Sequence, residues 1–277
     1  MFSNNQLILK TKKSLFRFFD KPIKKPLEEK SKVSIIIITY NALNYIKTCF
    51  ESLKKTNYKN YEIIVVDNGS VGEIKKYLSH LKKKREINKL FFSRENTFWS
   101  GGNNLGVDMC SKHSDFFLFL NPDVEIKDGD WLQNLVSLCP KNGLISYGTA
   151  KFSYPDGFCL MVQKDVFRHV GGFNANIPMW GSELEFALRA VKKGYTLRTV
   201  VNYLKYIVHF GKQSKNDKNS KLYEFDEIDS YIREINQYEH KLNFILALRN
   251  LFLVSDKYLI YIYIFLSKFK TLIKTIQ

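Results

Sequence analysis

The chain has 277 residues, 45% hydrophobic and 25% charged, a balance that excludes a disordered chain and allows one large domain with a small appendage. The formal net charge is +16, which excludes an acidic, solvating protein and directs attention to anionic partners. The excess is local: residues 1–32 carry +6, residues 75–89 carry +6 and residues 241–277 carry +5.

Residues 1–32 read as a basic lead-in, with Phe16, Phe18 and Phe19 among lysines and with Pro22 and Pro26 interrupting any helix. No long apolar segment or small-residue cleavage site marks a secretory leader there. Val33–Thr39 (VSIIIIT) is a continuous β-branched run, the pattern of a strand buried on both faces of a parallel sheet. Residues 43–55 follow with helical periodicity through Tyr45, Ile46, Cys49, Phe50 and Leu53. Tyr61–Val66 (YEIIVV) predicts a second buried strand, ending in the polar turn Asp67-Asn68-Gly69-Ser70. A helix over 71–84 and a strand at Leu90–Ser93 come next. Ser100-Gly101-Gly102-Asn103-Asn104 opens a helix that runs to about Ser111, and Phe116–Leu120 (FFLFL) is a fourth buried strand, ending in Asn121-Pro122-Asp123.

This alternation predicts an α/β fold with a mostly parallel sheet flanked by helices. Ligands of such sheets bind beyond the carboxyl ends of the strands. Three polar clusters fall there: Thr39–Asn41, Asp67–Ser70 and Asn121–Asp123. The second half is more mixed. Gly143–Lys151 and Gly157–Val162 predict strands, and Lys164–Val170 a short helix before Gly171-Gly172. Glu183–Lys193 predicts a helix with Leu184, Ala187, Leu188 and Val191 on its apolar face, closed by Gly194. Residues 216–230 look like a linker, and 231–277 form a helical extension suited to a packed or membrane-interfacial role. The apolar run Tyr258–Leu266 falls well short of the roughly 20 residues that cross a bilayer. Cys49, Cys110, Cys139 and Cys159 form no CxxC pair and no zinc-ligand spacing, so buried free thiols in a reducing, cytoplasmic setting are expected.

The chemistry follows from the residue types. Asp123, after a buried strand and a proline, is a fixed carboxylate of the kind that links Mg²⁺ or Mn²⁺ to substrate phosphates, and Asn-Pro-Asp is also ordinary turn chemistry. Asp67 can accept a nucleobase N–H or a ribose hydroxyl, or brace its own turn. Gly101-Gly102 permits close backbone approach to a ligand, yet neither GxxxxGK[ST] nor GxGxxG is present. Glu183 and Glu185 suit the first turn of a helix through its dipole, and either can act as a general base. His209 is a candidate metal or phosphate contact.

Taken in order, VSIIIITYN (33–41), YEIIVVDNGS (61–70), ENTFWSGGNNLG (95–106), FLNPDVEI (119–126), VFRHVGGFN (166–174) and GSELEFALRA (181–190) resemble the family 2 glycosyltransferases of the GT-A fold, in particular the bacterial rhamnosyltransferase-like branch. The resemblance implies a domain over 33–215. It implies a nucleotide-sugar site at Thr39, Asn41, Asp67, Asn68, Asn96, Gly102, Asn103, Asn121 and Asp123, with Mg²⁺ or Mn²⁺ at Asp123 and His209. It places the catalytic base at Glu183 and the second carboxylate of that helix at Glu185, in an inverting transfer from a nucleoside-diphosphate sugar to a glycan or lipid-linked acceptor. The chain departs from the family where Asp-x-Asp becomes Asn121-Pro122-Asp123 and where Glu-Asp becomes Ser182-Glu183. A catalytically impaired nucleotide-sugar-binding or scaffold protein is the alternative that the second departure motivates. An anionic membrane surface at the inner face of the cell membrane fits the basic segments. Nucleic acid is not expected, since no RNP or helix-turn-helix context accompanies them.

Overall fold

The computed structural model describes residues 31–148, 155–179, 181–200 and 202–211. The expected lead-in before residue 31 and the expected linker and helical extension from 216 to 277 lie outside the described residues. In chain order the elements are β1 (Val33–Thr39), α1 (Leu43–Leu53), β2 (Tyr61–Asp67), α2 (Glu73–Lys83), β3 (Lys89–Phe92), α3 (Phe98–Asp108), β4 (Phe116–Leu120) and β5 (Val124–Ile126). They continue with α4 (Trp131–Leu138), β6 (Gly143–Tyr147), β7 (Cys159–Gln163), α5 (Lys164–Val170), α6 (Ser182–Lys192), β8 (Thr196–Val200), a 3-10 turn at Tyr203–Lys205 and β9 (Ile207–His209).

The main sheet has the order β3-β2-β1-β4-β7-β6-β8. β1 pairs in parallel with both β2 and β4, and β2 with β3. β7 runs antiparallel between β4 and β6, while β6 and β8 are parallel. The sheet is therefore mostly parallel, as the apolar runs predict. Because side chains alternate across a strand, Val33, Ile35 and Ile37 enter one core with Ile46, Phe50, Leu78 and Trp131. Ile36 enters the other with Phe117, Phe119, Phe167 and Phe186. Helices thus cover both faces. β1 lies between β2 and β4, so the connections diverge at β1 and open a crevice at its carboxyl end, the switch point where open sheets bind ligands.

The structure corrects several boundaries. The helix expected over 71–84 starts at Glu73, and the one expected from Ser100 starts at Phe98 and ends at Asp108. The strands β5, β8 and β9 and the helix α4 were not anticipated. α6 buries Ser182, Glu185, Phe186, Ala187 and Ala190, whereas Leu184, Leu188 and Val191 are only half-buried. A carboxylate holds the place expected for a leucine because Arg189, one turn on, neutralises it there. All four cysteines are free thiols, and burial pushes Cys139 up to about 12, which makes it inert.

Candidate active site

The loops after β1 and β2 brace one another. The Thr39 hydroxyl donates to Asp67 Oδ1 (3.0 Å) and the Ser70 N–H donates to Asp67 Oδ2 (3.1 Å). The Asn68 N–H reaches Thr39 O (2.8 Å), and the Asn41 N–H reaches Ser70 Oγ (2.9 Å). Thr39 and Asp67 are fully buried, and each carboxylate oxygen of Asp67 accepts one of these bonds. Asn68 is equally committed, donating from Nδ2 to Phe98 O (2.9 Å) and accepting the Thr97 hydroxyl at Oδ1 (2.8 Å). Gly102 lets α3 approach this amide: a Cβ there would lie 2.9 Å from both Asn68 Nδ2 and Ile38 Cγ2. Asn103 is buried and donates back to Trp99 O (2.9 Å), one turn earlier in its own helix. Among the residues expected along the nucleotide-sugar, Thr39, Asp67, Asn68, Gly102 and Asn103 therefore form the buried floor. Asn41, Asn96, Asn121 and Asp123 keep part of their surface at the rim.

Strain gathers at this rim. Asn41, Ala42 and Phe98 adopt left-handed φ of 51°, 57° and 56°. For residues with a Cβ this costs roughly 1–2 kcal/mol each, and for a bulky aromatic it is a true outlier. Phe98 is held by its N–H donating to Asn96 Oδ1 (2.8 Å) and by its carbonyl accepting from Asn68. Strain maintained by side-chain bonds at a crevice is a mark of a preorganised site.

The loop after β4 carries the ionic chemistry. Trp99 Nε1–H donates to Asn121 Oδ1 (3.2 Å), and Asn121 Nδ2 lies 3.4 Å from His209 Nε2. The same His209 nitrogen is 3.2 Å from Asp123 Oδ1. Pairing of β5 with β9 sets Val124 opposite His209, the Phe210 N–H donates to Asp123 O (2.9 Å), and the Phe158 ring stacks on the imidazole at 4.5 Å and 12°. Two ligands at right angles about 2.1 Å from one cation stand about 3 Å apart, so the Asp123–His209 spacing fits a shared divalent ion. Among the described residues no set of three His, Cys, Asp or Glu side chains converges on a metal position. A divalent ion held by this pair would need its remaining ligands from other oxygens, as Mg²⁺ and Mn²⁺ take them from phosphates. Asp156 also lies near His209, although Pro155-Asp156-Gly157 has the sequence of an ordinary turn. Burial raises its carboxyl above the ordinary range, opposed by the nearby His209 and the Phe158 N–H.

The two glutamates of α6 part company. A Cβ built on Gly157 would lie 3.3 Å from Glu183 Cδ and 3.4 Å from Trp99 Cζ2, so the Glu183 carboxyl and the indole both rest on this glycine. Gly157 precedes Phe158, whose carbonyl accepts the Asn121 N–H (2.8 Å), which puts Glu183 beside the Asn-Pro-Asp turn. Glu185 is buried and takes a two-pronged pair from Arg189, Nε to Oε1 at 2.5 Å and Nη2 to Oε2 at 2.8 Å. The same guanidinium caps the end of α5 through Val170 O (2.7 Å) and Gly172 O (2.6 Å). Asn104, also unanticipated, clamps the following loop through both main-chain groups of Phe173 (2.8 and 3.0 Å).

A mostly parallel, helix-covered sheet with this rim is the GT-A fold of glycosyltransferases, and solved structures agree. A mannosyltransferase from Pyrobaculum calidifontis in complex with GDP-Man and Mn2+ is similar with a TM-score of 0.65 at 14% identity, over 90% of this chain and 79% of that one. S. aureus TarS in complex with UDP-GlcNAc is similar with a TM-score of 0.53 at 14% identity, over 72% of this chain and 69% of that one. Residues 34–205 match the family model "Glycosyl transferase family 2", and the chain belongs to that family. The low-salt glycan biosynthesis hexosyltransferase Agl10 of Haloferax volcanii is 24% identical over 203 residues, 60% of this chain and 63% of that protein. The O-antigen biosynthesis protein RfbC of Myxococcus xanthus is 23% identical over 239 residues, 70% of this chain and 18% of that protein. The chain thus spans less than two thirds of the length of these curated relatives.

Proposed function

We propose that this glycosyltransferase transfers a sugar, with inversion, from a nucleoside-diphosphate sugar to a hydroxyl of a glycan or lipid-linked acceptor in bacterial surface-polysaccharide synthesis. The observation that carries the reading is that Glu183 and Trp99 meet at Gly157 and that Trp99 is joined through Asn121 to His209 and Asp123. Asn41, Asn96 and the strained loop backbone orient the nucleotide above the floor built on Asp67 and Asn68. Asp123 and His209 would hold the divalent cation, Mg²⁺ or Mn²⁺. When bound, the cation offsets the negative charge that develops on the departing diphosphate. Asn121 fixes the His209 ring and the Trp99 indole relative to each other. Glu183 accepts the proton of the acceptor hydroxyl as that oxygen attacks the anomeric carbon from the face opposite the leaving group. The complex of the Pyrobaculum mannosyltransferase with GDP-Man and Mn2+ supports the donor class and the metal.

The test is thermal unfolding with UDP, GDP, dTDP and CMP donors, with and without Mn²⁺, followed by turnover with the donor that binds. A ligand at about 100 times its Kd stabilises the native state by roughly 2.7 kcal/mol, so one donor should give a clear metal-dependent rise in Tm. No rise with any donor, and no transfer, would remove the proposal.

The acceptor side of the reading extends to an anionic membrane surface. On α2, Lys75, Lys76, Ser79, His80 and Lys83 line a shallow groove on one stripe of the helix. Each cation near an anionic leaflet contributes about 1 kcal/mol. Among the described residues no helix is long and apolar enough to cross a membrane. Sedimentation with phosphatidylglycerol vesicles is expected to exceed that with phosphatidylcholine, to fall with salt, and to weaken in Lys75→Glu/Lys76→Glu/Lys83→Glu. Equal binding to both vesicle types would dismiss the surface.

A further inference from the structure

Glu183 sits at the start of a helix that has no side-chain cap, after Gly181 with φ 86°. Glycine restrains this entry weakly, so something else must keep the first turn of α6 in register with the crevice. The neighbouring residue provides it. Ser182 and Ser100 are both fully buried, and their hydroxyls are 2.7 Å apart across 82 residues of sequence. The Ser100 hydroxyl also donates to Ile177 O (2.5 Å), and its N–H donates to Pro178 O (2.9 Å). A serine has one O–H to give. Ser100 therefore shares its O–H between the Ile177 carbonyl and Ser182 Oγ, both of which accept it. The shared O–H ties the first turn of α3 to Ser182 and to the Ile177 carbonyl at once.

We infer that the Ser100–Ser182 pair is a positioning clasp that locks Glu183 against the first turn of α3, and this rests on the reading of Glu183 as the base. Ser100 adjoins Trp99, Ser182 adjoins Glu183, and both of those side chains rest on Gly157. The clasp therefore fixes the distance between the helix that carries the indole and the helix that carries the carboxylate. Ser182 also stands where the resembling family carries an acidic residue.

The roles of donor and acceptor make the pair separable by mutation. Ser182→Ala removes one of the two acceptors and leaves Ser100 bonded to Ile177, so the fold should persist. Ser100→Ala would strand both Ser182 and Ile177 and is the less informative change. For Ser182→Ala, kcat is expected to fall about 10-fold, since a misplacement of about 1 Å at the reacting groups costs up to about 10². KM for the donor and the metal-dependent rise in Tm with nucleotide should stay at parental values, because Asp123 and His209 are untouched. Ser182→Cys, of similar volume with a weakly accepting sulfur, should fall between the two and serves where alanine folds poorly. The deciding measurement is Ser182→Ala placed in Glu183→Gln. A clasp that acts through the base adds nothing once the base is gone. An unchanged kcat in Ser182→Ala and Ser182→Cys, with Glu183→Gln inactive, would overturn the clasp alone. An equal loss in both backgrounds would also overturn it. Full activity in Glu183→Gln would overturn the base reading and the clasp with it.

Discussion

Glu183→Gln is expected to lower kcat by about 10²- to 10⁴-fold, the range that general-base catalysis contributes. The amide keeps the shape and the hydrogen-bonding reach of the carboxylate but cannot take a proton at neutral pH. KM for the donor should change little, since Glu183 adjoins Gly157 and Trp99, whereas the proposed hold on the donor phosphates is at Asp123 and His209. The unfolding midpoint should also hold, because Glu183 is only half-buried. Steady-state kinetics beside urea unfolding check both halves, and an unaltered kcat would end the assignment. Glu185 supplies the contrast two residues on. It is 3% exposed and paired with Arg189, whose guanidinium also holds Val170 and Gly172. Removing one member of a buried pair costs about 3–5 kcal/mol. A loss of activity in Arg189→Ala would therefore come with a loss of folded protein. Two acidic residues in one helical turn thus fail in two distinguishable ways.

That contrast was only partly legible in the sequence. β1, β2 and β4 could be read because parallel strands covered on both faces must be apolar at nearly every position, and VSIIIIT, YEIIVV and FFLFL satisfy that. The ribbon of β5 and β9 could not. Each strand has three residues, and its register joins Val124 to His209 across 85 positions. The approach of His209 to Asp123 is a consequence of that pairing, and no local pattern announces it. Which way a polar side chain turns is equally non-local. Asp67 and Asn68 end a strand at the correct edge, yet Thr39, Ser70, Thr97 and Phe98 draw them inward. Gly102 stands close to something, as a glycine in that setting suggests, and the something is Asn68 with Ile38. The rhythm of α6 misled for a third reason: an arginine four residues on allows a carboxylate onto the face where apolar periodicity expects leucine.

Asp123→Ala is expected to abolish the metal-dependent part of nucleotide binding while leaving the metal-free protein as stable as the parent. The side chain is 13% exposed and its partner His209 is 24% exposed, so neither anchors a core. Phe158 stacking and the β5–β9 ladder keep the imidazole in place without the carboxylate. What would disappear is one of the two proposed protein ligands, in a site where no group of three or more acidic, histidine or cysteine side chains converges among the described residues. Charge stabilisation by a cation at a leaving diphosphate is worth several kcal/mol, and each 1.36 kcal/mol is tenfold in rate. A loss of about 10²- to 10³-fold in kcat/KM should follow. His209→Ala should lose less, because the carboxylate charge that attracts the cation remains; it should raise the Mn²⁺ concentration needed for half-maximal activity. Thermal unfolding with nucleotide, in Mn²⁺ and in chelator, reads the binding half without any turnover. If Asp123→Ala retained the full Mn²⁺-dependent rise in Tm, the cation would have to sit elsewhere, and the pairing of Asp123 with His209 would be an ordinary ion pair at the edge of a sheet.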